Sequence, residues 1–145
     1  MIMHSDNDLI GGCRLMRLPI IGDERGNLSF LENSKELGFL IERVFWCYNV
    51  PSGDQRGGHA YKTQHEAILA VSGSFDVEIK TAQNTQTIVL NRPDRVLLIP
   101  PRVWRTMSNF SSNALSAHLS SSKYDANDYV RNWDEYTNHV LDKQR

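Results

Sequence analysis

The stretch "HEAILAVSGSFDVEIK", His65 to Lys80, constrains the fold more than any other part of the chain. Two runs rich in apolar and β-branched residues meet at Ser72 and Gly73, and the second alternates strictly between apolar and polar. A glycine at the junction supplies the positive φ that a tight turn requires, so the segment Glu66–Lys80 predicts a β-hairpin. The same punctuation recurs in "GGCRLMRLP", "GDERGNLSFLEN", "IERVFWCYNVPSGD", "TQTIVL", "DRVLLIPP", "RTMSNF" and "NALSAHLSS". Short strands separated by turn signals, roughly eight to ten of them, are the pattern of an all-β sandwich or small barrel.

The C-terminal tail changes period. In "YDANDYVRNWDEYTNHVLDKQR" the apolar residues Tyr129, Val130, Trp133, Tyr136 and Val140 recur at helical spacing, which predicts one amphipathic helix capped by Asp125. With 145 residues, 40% of them hydrophobic, a single compact domain over 1–145 is expected, its first eight residues frayed. Sixteen basic against seventeen acidic residues give a formal charge of -1, which argues against a nucleic-acid partner. Cys13 and Cys47 are the two cysteines, and the chain opens without a signal-peptide pattern, so a cytoplasmic protein without disulfides is expected. Its apolar runs fall far short of the roughly 18 residues a membrane span needs.

The chemistry concentrates in "RGGHAYKTQHE", Arg56 to Glu66. On a strand, His59 and Tyr61 share a face and His65 opposes Glu66. An imidazole that titrates near neutrality and a phenol that donates a proton make an acid/base pair, and Arg105 can stabilise an oxyanion beside them. Around these residues lies a longer frame: Gly53, His59, Tyr61, Glu66 and Gly73, then Asp94, Pro100, Arg105 and Asn109. It resembles the two motifs of the cupin barrels, which implies an all-β, RmlC-like jelly-roll barrel with one C-terminal helix. The resemblance also implies that positions 59, 61, 66 and 105 would hold a metal were they three histidines and a carboxylate. Here they read His, Tyr, Glu and Arg. An arginine is cationic and has no lone pair to offer, so no metal is expected.

Ordered blocks from about Arg14 to Tyr136 narrow the resemblance: "DERGNLSFLE", "RVFWCYNVPSGDQRGGHAYK", "VSGSFDV", "PPRVWRTMSNFSS" and "YDANDYVRNWDEY". They are similar to the sugar nucleotide 3,4-ketoisomerases, the FdtA or WxcM-like family. That resemblance implies conversion of a dTDP-4-keto-6-deoxyhexose into its 3-keto isomer through an enediol, without a cofactor, on the way to deoxyamino sugars of surface polysaccharides such as O-antigen. It also implies a homodimer with exchanged N-terminal strands, for which "GGCRLMRLP" is a candidate strand. The family places two histidines in this block; Tyr61 stands where the second would be. His59 and Tyr61 are therefore the expected catalytic pair. Arg43, Tyr48, Arg56, Lys62, Glu66 and Arg105 are the expected substrate contacts, with the basic residues on diphosphate or sugar and Tyr48, beside Trp46, on the base. A nucleotide-sugar or glycan-binding cupin without catalysis is the alternative. His118, on a late strand, reads as a core histidine, with a place facing the pocket as the alternative, and His4 and His139 read as inert.

Overall fold

The computed structural model describes residues 5–6 and 9–143. In chain order the strands are β1 (Ser5–Asp6), β2 (Arg14–Arg17), β3 (Ile21–Asp23), β4 (Gly26–Leu28), β5 (Arg43–Tyr48), β6 (Arg56–Tyr61), β7 (Glu66–Ser72), β8 (Phe75–Lys80), β9 (Thr85–Leu90), β10 (Arg95–Ile99), β11 (Trp104–Ser108), β12 (Leu115–Ser120) and β13 (Tyr129–Val130). Helix α1 spans Trp133–Lys143. One sheet runs β1-β2-β10-β7-β12-β5, a second runs β13-β6-β11-β8-β9, and β3 with β4 forms a separate two-stranded ribbon. Of the first eight residues, expected to be frayed, Ser5–Asp6 pair with β2; the others lie outside the described residues.

Consecutive strands here tend to face each other across the core rather than lie side by side. The expected hairpin over Glu66–Lys80 is the instructive case, because β7 and β8 are both present but belong to different sheets. Gly73 has φ +67, and a Cβ on it would lie 2.8 Å from Ala114 Cα. Ser111 accepts from Ser74 N through its hydroxyl and donates its own N–H to the Ser74 carbonyl. The positive-φ turn is real, but it carries the chain from one layer to the other, since both runs have a face to bury.

Between the layers, Ile68 and Ala70 of β7, Phe75, Val77 and Ile79 of β8, and Leu97 and Ile99 of β10 form one buried cluster. Alternation along β8 sends Phe75, Val77 and Ile79 inward, while Asp76, Glu78 and Lys80 stay partly exposed. Each large apolar side chain so buried contributes about 1.5–3 kcal/mol.

The helix starts later than its sequence period predicts. Asp125 does cap, accepting from Asn127 N, but what it caps is the short 3-10 turn Ala126–Asp128. Tyr129 and Val130 then pair with Tyr61 and Ala60 as β13, so they sit in a sheet instead of on a helix. Asp128 is buried, and its carboxylate accepts from Thr63 N, Thr63 Oγ1 and Gln64 N, which pins this segment beside the end of β6. Asn132 provides the cap of α1, accepting from Glu135 N at 3.0 Å. Trp133 and Tyr136 pack on Trp104, and the Tyr136 hydroxyl donates to Arg102 O at 2.8 Å. Among the described residues no helix is long and apolar enough to cross a membrane.

Candidate active site

A cavity of about 450 Å³ opens between the sheets, in the size range of small-ligand sites. Backbone irregularity aims its central imidazole. In the β6–β11 ladder His59 pairs with Arg105 but Gly57 pairs with Thr106, so Gly58 is an extra residue and the strand bulges. Gly57 and Gly58 both take positive φ, +87 and +73, and a Cβ on Gly57 would lie 3.1 Å from the Arg105 carbonyl oxygen. Two glycines thus let β6 approach β11 closely while turning His59 into the cavity.

His59 meets two aromatic neighbours there. Its ring centroid lies 4.8 Å from that of Tyr61 and 4.9 Å from that of Tyr129, and the two tyrosines are 4.8 Å apart. Burial among these rings disfavours the imidazolium, the Arg105 charge adds to the effect, and the pKa of His59 falls to about 4. His59 lines the cavity, and its Nε2 is a buried nitrogen with no hydrogen-bond partner in the protein. Tyr61 is almost wholly buried and donates to the Tyr129 hydroxyl at 3.3 Å. Burial, then the Glu66 charge, hold its phenol well above the usual range.

Opposite charges occupy the adjoining wall. Arg105, 1% exposed, places its guanidinium over the Tyr61 ring at 4.9 Å and donates to Glu66 Oε1 at 2.6 Å and to the Val103 carbonyl at 3.1 Å. The second Glu66 oxygen lies 3.4 Å from His118 Nδ1. Burial opposes ionisation of Glu66, but Arg105 and then His118 outweigh it, and the carboxyl is pulled down to about 2. For His118 burial again disfavours charge, yet the neighbouring Cys47 and Glu66 outweigh it and raise it to about 9. Glu66 lies on the cavity wall as expected, with its oxygens turned to these two protein cations.

This set does not fit the metal centre that the barrel type would imply. The one carboxylate among the four motif positions is committed to a guanidinium, and no three His, Cys, Asp or Glu side chains converge as a metal-binding group among the described residues.

The remaining expected contacts divide. Arg43 and Arg56 line the cavity. Tyr48 and Lys62 do not, and this corrects the sequence expectation. Along β5 the residues Arg43, Phe45 and Cys47 alternate with Val44, Trp46 and Tyr48, and the second set faces outward, with Trp46 59% and Tyr48 62% exposed. Lys62 follows the last residue of β6, its N–H bonded to the Asp128 carbonyl at the edge of the site. Asn109 of the second motif also falls outside, because β11 ends at Ser108 and Asn109 is exposed beside Asp76.

Beyond the expected contacts, the wall also holds Cys47, His118, Tyr129 and Arg131. The parity that turns Arg43 inward does the same for Cys47, so that signal was present. Tyr129 and Arg131 were hidden by their helical period. Arg131 lies 4.1 Å over the Tyr129 ring, and Arg43 lies 5.0 Å over Phe45 and donates to Gln64 Oε1.

A two-layer jelly roll whose cavity holds an uncharged imidazole beside a buried ionised row, where the barrel type would carry a metal centre, defines a cupin of the acid/base type. The FdtA (WxcM-like, C-terminal) family matches residues 11–141, and the chain belongs to it. It is 32% identical over 127 residues to TDP-4-oxo-6-deoxy-alpha-D-glucose-3,4-oxoisomerase of Aneurinibacillus thermoaerophilus, covering 88% of this chain and 91% of that one. Among solved structures it is similar to the sugar 3,4-ketoisomerase QdtA of Thermoanaerobacterium thermosaccharolyticum in complex with TDP (TM-score 0.90, 30% identity, 93% of this chain and 98% of that one). It is similar as well to the TDP-quinovose 3,4-ketoisomerase WlaRB of Campylobacter jejuni (TM-score 0.85, 40% identity, 89% and 99%).

Proposed function

We propose that the protein is a sugar nucleotide 3,4-ketoisomerase acting on a dTDP-4-keto-6-deoxyhexose by proton transfer alone. The observation that carries this reading is His59, neutral on the cavity wall with its Nε2 unpartnered. A neutral imidazole is the form that accepts a proton. His59 takes the C3 hydrogen, giving the enediol as its singly ionised form, and the C3 hydroxyl proton passes to the neighbouring C4 oxygen. His59 then returns its proton to C4, so the ketone moves from C4 to C3 with no net gain or loss of atoms. Tyr61, hydrogen-bonded to Tyr129, supplies the hydroxyl that supports the oxygen atoms during transfer. Glu66 holds Arg105 and so fixes the positive charge facing the enediol oxygens. Arg43 and Arg56 contact the diphosphate, Arg43 from a fixed position and Arg56 from the exposed rim.

Tyr61 also favours a second reading, a nucleotide-sugar-binding cupin without catalysis, because a phenol with a raised pKa is a poor proton carrier. The discriminating experiment is incubation with dTDP-4-keto-6-deoxyglucose in heavy water, with the ring protons followed by NMR. Deuterium at C3 and C4 with formation of the 3-keto sugar is expected. Saturable binding with no exchange establishes the second reading.

The chain acts as one unit in the cytoplasm and as a homodimer with exchanged N-terminal strands. The position of β2 supports this, since it joins the sheet only through β10 and the two-residue β1. The outward row Val44, Trp46 and Tyr48 on the edge strand β5 supports it too. Sedimentation velocity should return twice the chain mass of 16.6 kDa, and a monomer at micromolar concentration would refute the dimer.

A further inference from the structure

Arg43, Arg56, Arg105 and Arg131 line the cavity, and among the described residues Glu66 is the one carboxylate that faces them there. Two of these guanidiniums are held by side chains that lie close together in the chain, and the holders differ in charge. Arg105 donates to Glu66 Oε1 at 2.6 Å, so its positive charge is met by a negative one. Arg43 donates to Gln64 Oε1 at 3.0 Å, and an amide has no charge to set against it. Gln64 is fixed from several directions. It is 1% exposed, its N–H donates to the Asp128 carboxylate at 3.1 Å, and the next residue, His65, exchanges hydrogen bonds with Ser121 through its N–H and its carbonyl. Ser120, fully buried, donates its hydroxyl to the same Gln64 oxygen at 2.6 Å. In the sheet Ser120 stands between Arg43 of β5 and Glu66 of β7, the direct partner of each. Two donors on Oε1 set the orientation of the amide and leave Nε2 as a buried nitrogen without a partner. A glutamate would offer the same two donors an ionised oxygen and bury no N–H, and a charge-assisted bond to a guanidinium is about twice as strong as one to an amide. The neutral holder therefore gives the weaker grip, at the cost of an unpaired group, and its one advantage is that Arg43 stays uncompensated.

We propose that Gln64 is a positioning residue for an anion site: it holds the Arg43 guanidinium at the cavity wall without neutralising it, so that the whole of that charge meets the diphosphate of a nucleotide ligand. This role rests on the contact between Arg43 and the diphosphate in the function proposed above, and it is independent of the proton transfers at His59. Gln64 itself touches no ligand; it acts through Arg43, whose stacking over Phe45 at 5.0 Å and Tyr124 at 5.7 Å limits the plane of the guanidinium while the amide limits its reach.

Calorimetric titration of the full-length protein with dTDP tests the role. Q64E keeps the reach and the acceptor but adds a charge that cancels that of Arg43, and it should weaken dTDP binding about tenfold. Q64L removes the acceptor and leaves the guanidinium charged but loosely held, and it should weaken binding about threefold. A purely structural part for Gln64 would give the opposite order, because glutamate keeps the bonds from Arg43 and Ser120 that leucine abolishes. In an R43A background Q64L should have no further effect, since nothing remains for Gln64 to position. Binding by Q64E equal to or tighter than that by Q64L, or a full Q64L effect in the R43A background, overturns the role; the second comparison decides alone if Q64E does not fold. Should the unmodified protein not bind dTDP, or R43A bind it as well as the unmodified protein, the diphosphate contact and the role of Gln64 fall together, and the chemistry at His59 is untouched. The expected order of affinities in a protein that never turns over the keto sugar would overturn the ketoisomerase reading and leave the role of Gln64 standing.

Discussion

The two walls of the cavity solve opposite electrostatic problems with similar residues. On the β6–β13 side a histidine is packed among tyrosines and loses its charge; on the β7–β12 side another histidine is more deeply buried and keeps it. Burial disfavours the imidazolium in both places, so the partners decide. His118 has a carboxylate at 3.4 Å and a thiol beside it, whereas His59 has a guanidinium as its strongest charged neighbour. Two groups of one chemical type whose environments drive their pKa values apart are thereby sorted into a base and a fixed cation. Arg105 links them: its charge helps to discharge His59 while ionising Glu66, which in turn charges His118.

The largest expected effect strikes the neutral wall. H59N should lower kcat about 10³-fold, in the range for loss of a general base, while calorimetric affinity for dTDP and the circular-dichroism spectrum stay unchanged. Acid titration sharpens the point. Because His59 is held near 4, the base is deprotonated throughout the neutral range, and kcat/KM should stay level from pH 8 to 5 instead of falling through the ordinary histidine value of about 6.5. A midpoint near 6.5 in that profile would mean that His59 is solvated and that the contrast between the walls does not exist.

On the charged wall the expected effect is on stability. E66Q leaves Arg105 and His118 buried without their counter-ion, a loss of about 3 kcal/mol, or a fall in Tm of about 10 °C for a chain of this size. The sign of its pH dependence is fixed. Glu66 is depressed in the folded state, so its contribution is present above the ordinary carboxylate value of about 4.3 and is lost as pH falls towards 2. His118 is raised, so its contribution is complete below about 6.5 and is lost as pH rises through about 9. In thermal melts the difference in Tm between wild type and E66Q should shrink as pH falls below about 4, and should narrow without closing as pH rises through about 9, because the Glu66–Arg105 pair outlasts the His118 charge. Parallel curves would refute the ionised row.

Smaller again is the expected effect of Y61F. The Tyr61 hydroxyl is bonded to Tyr129 and its phenol is held above the usual range, so it supports the oxygens without carrying the proton away. About a tenfold fall in kcat is expected on steady-state kinetics, the cost of one neutral hydrogen bond. A fall of 10³-fold would make Tyr61 a proton carrier equal to His59.

How far the sequence led to these walls depends on what each residue needs to reach them. His59 and Glu66 needed only strand parity and a spacing, and both were legible. Cys47 was equally legible from the parity of Arg43, whereas Tyr48 was misplaced onto the wrong face of the same strand. The strand pair β7–β8 was read correctly as two strands with a glycine turn, but a turn signal does not say whether it joins neighbours in a sheet or crosses between sheets. That distinction is set by Ser111 and Ala114, nearly forty residues further along the chain. Tyr129 was concealed for a similar reason. Its helical spacing is a local property, and the hydrogen bonds that make it a strand come from Tyr61. Long-range partners, not local preference, settled every element that the sequence misread.

The rim tests how far the contrast between fixed and free charge extends. Arg43 is held in place: it donates to Gln64 Oε1 at 3.0 Å and stacks over Phe45 and Tyr124, so its guanidinium is already positioned when a diphosphate arrives. Arg56 sits on the exposed part of β6 and must give up side-chain freedom on binding, which offsets part of its attraction. Both substitutions should raise KM with little change in kcat, R43A about tenfold and R56A about threefold. Raising the salt from 50 to 500 mM should narrow the R56A difference more than the R43A difference, because an exposed charge is screened more fully than a half-buried one. Equal KM effects with equal salt dependence would show that the ordered contacts of Arg43 confer no advantage, and that the rim acts as a diffuse field.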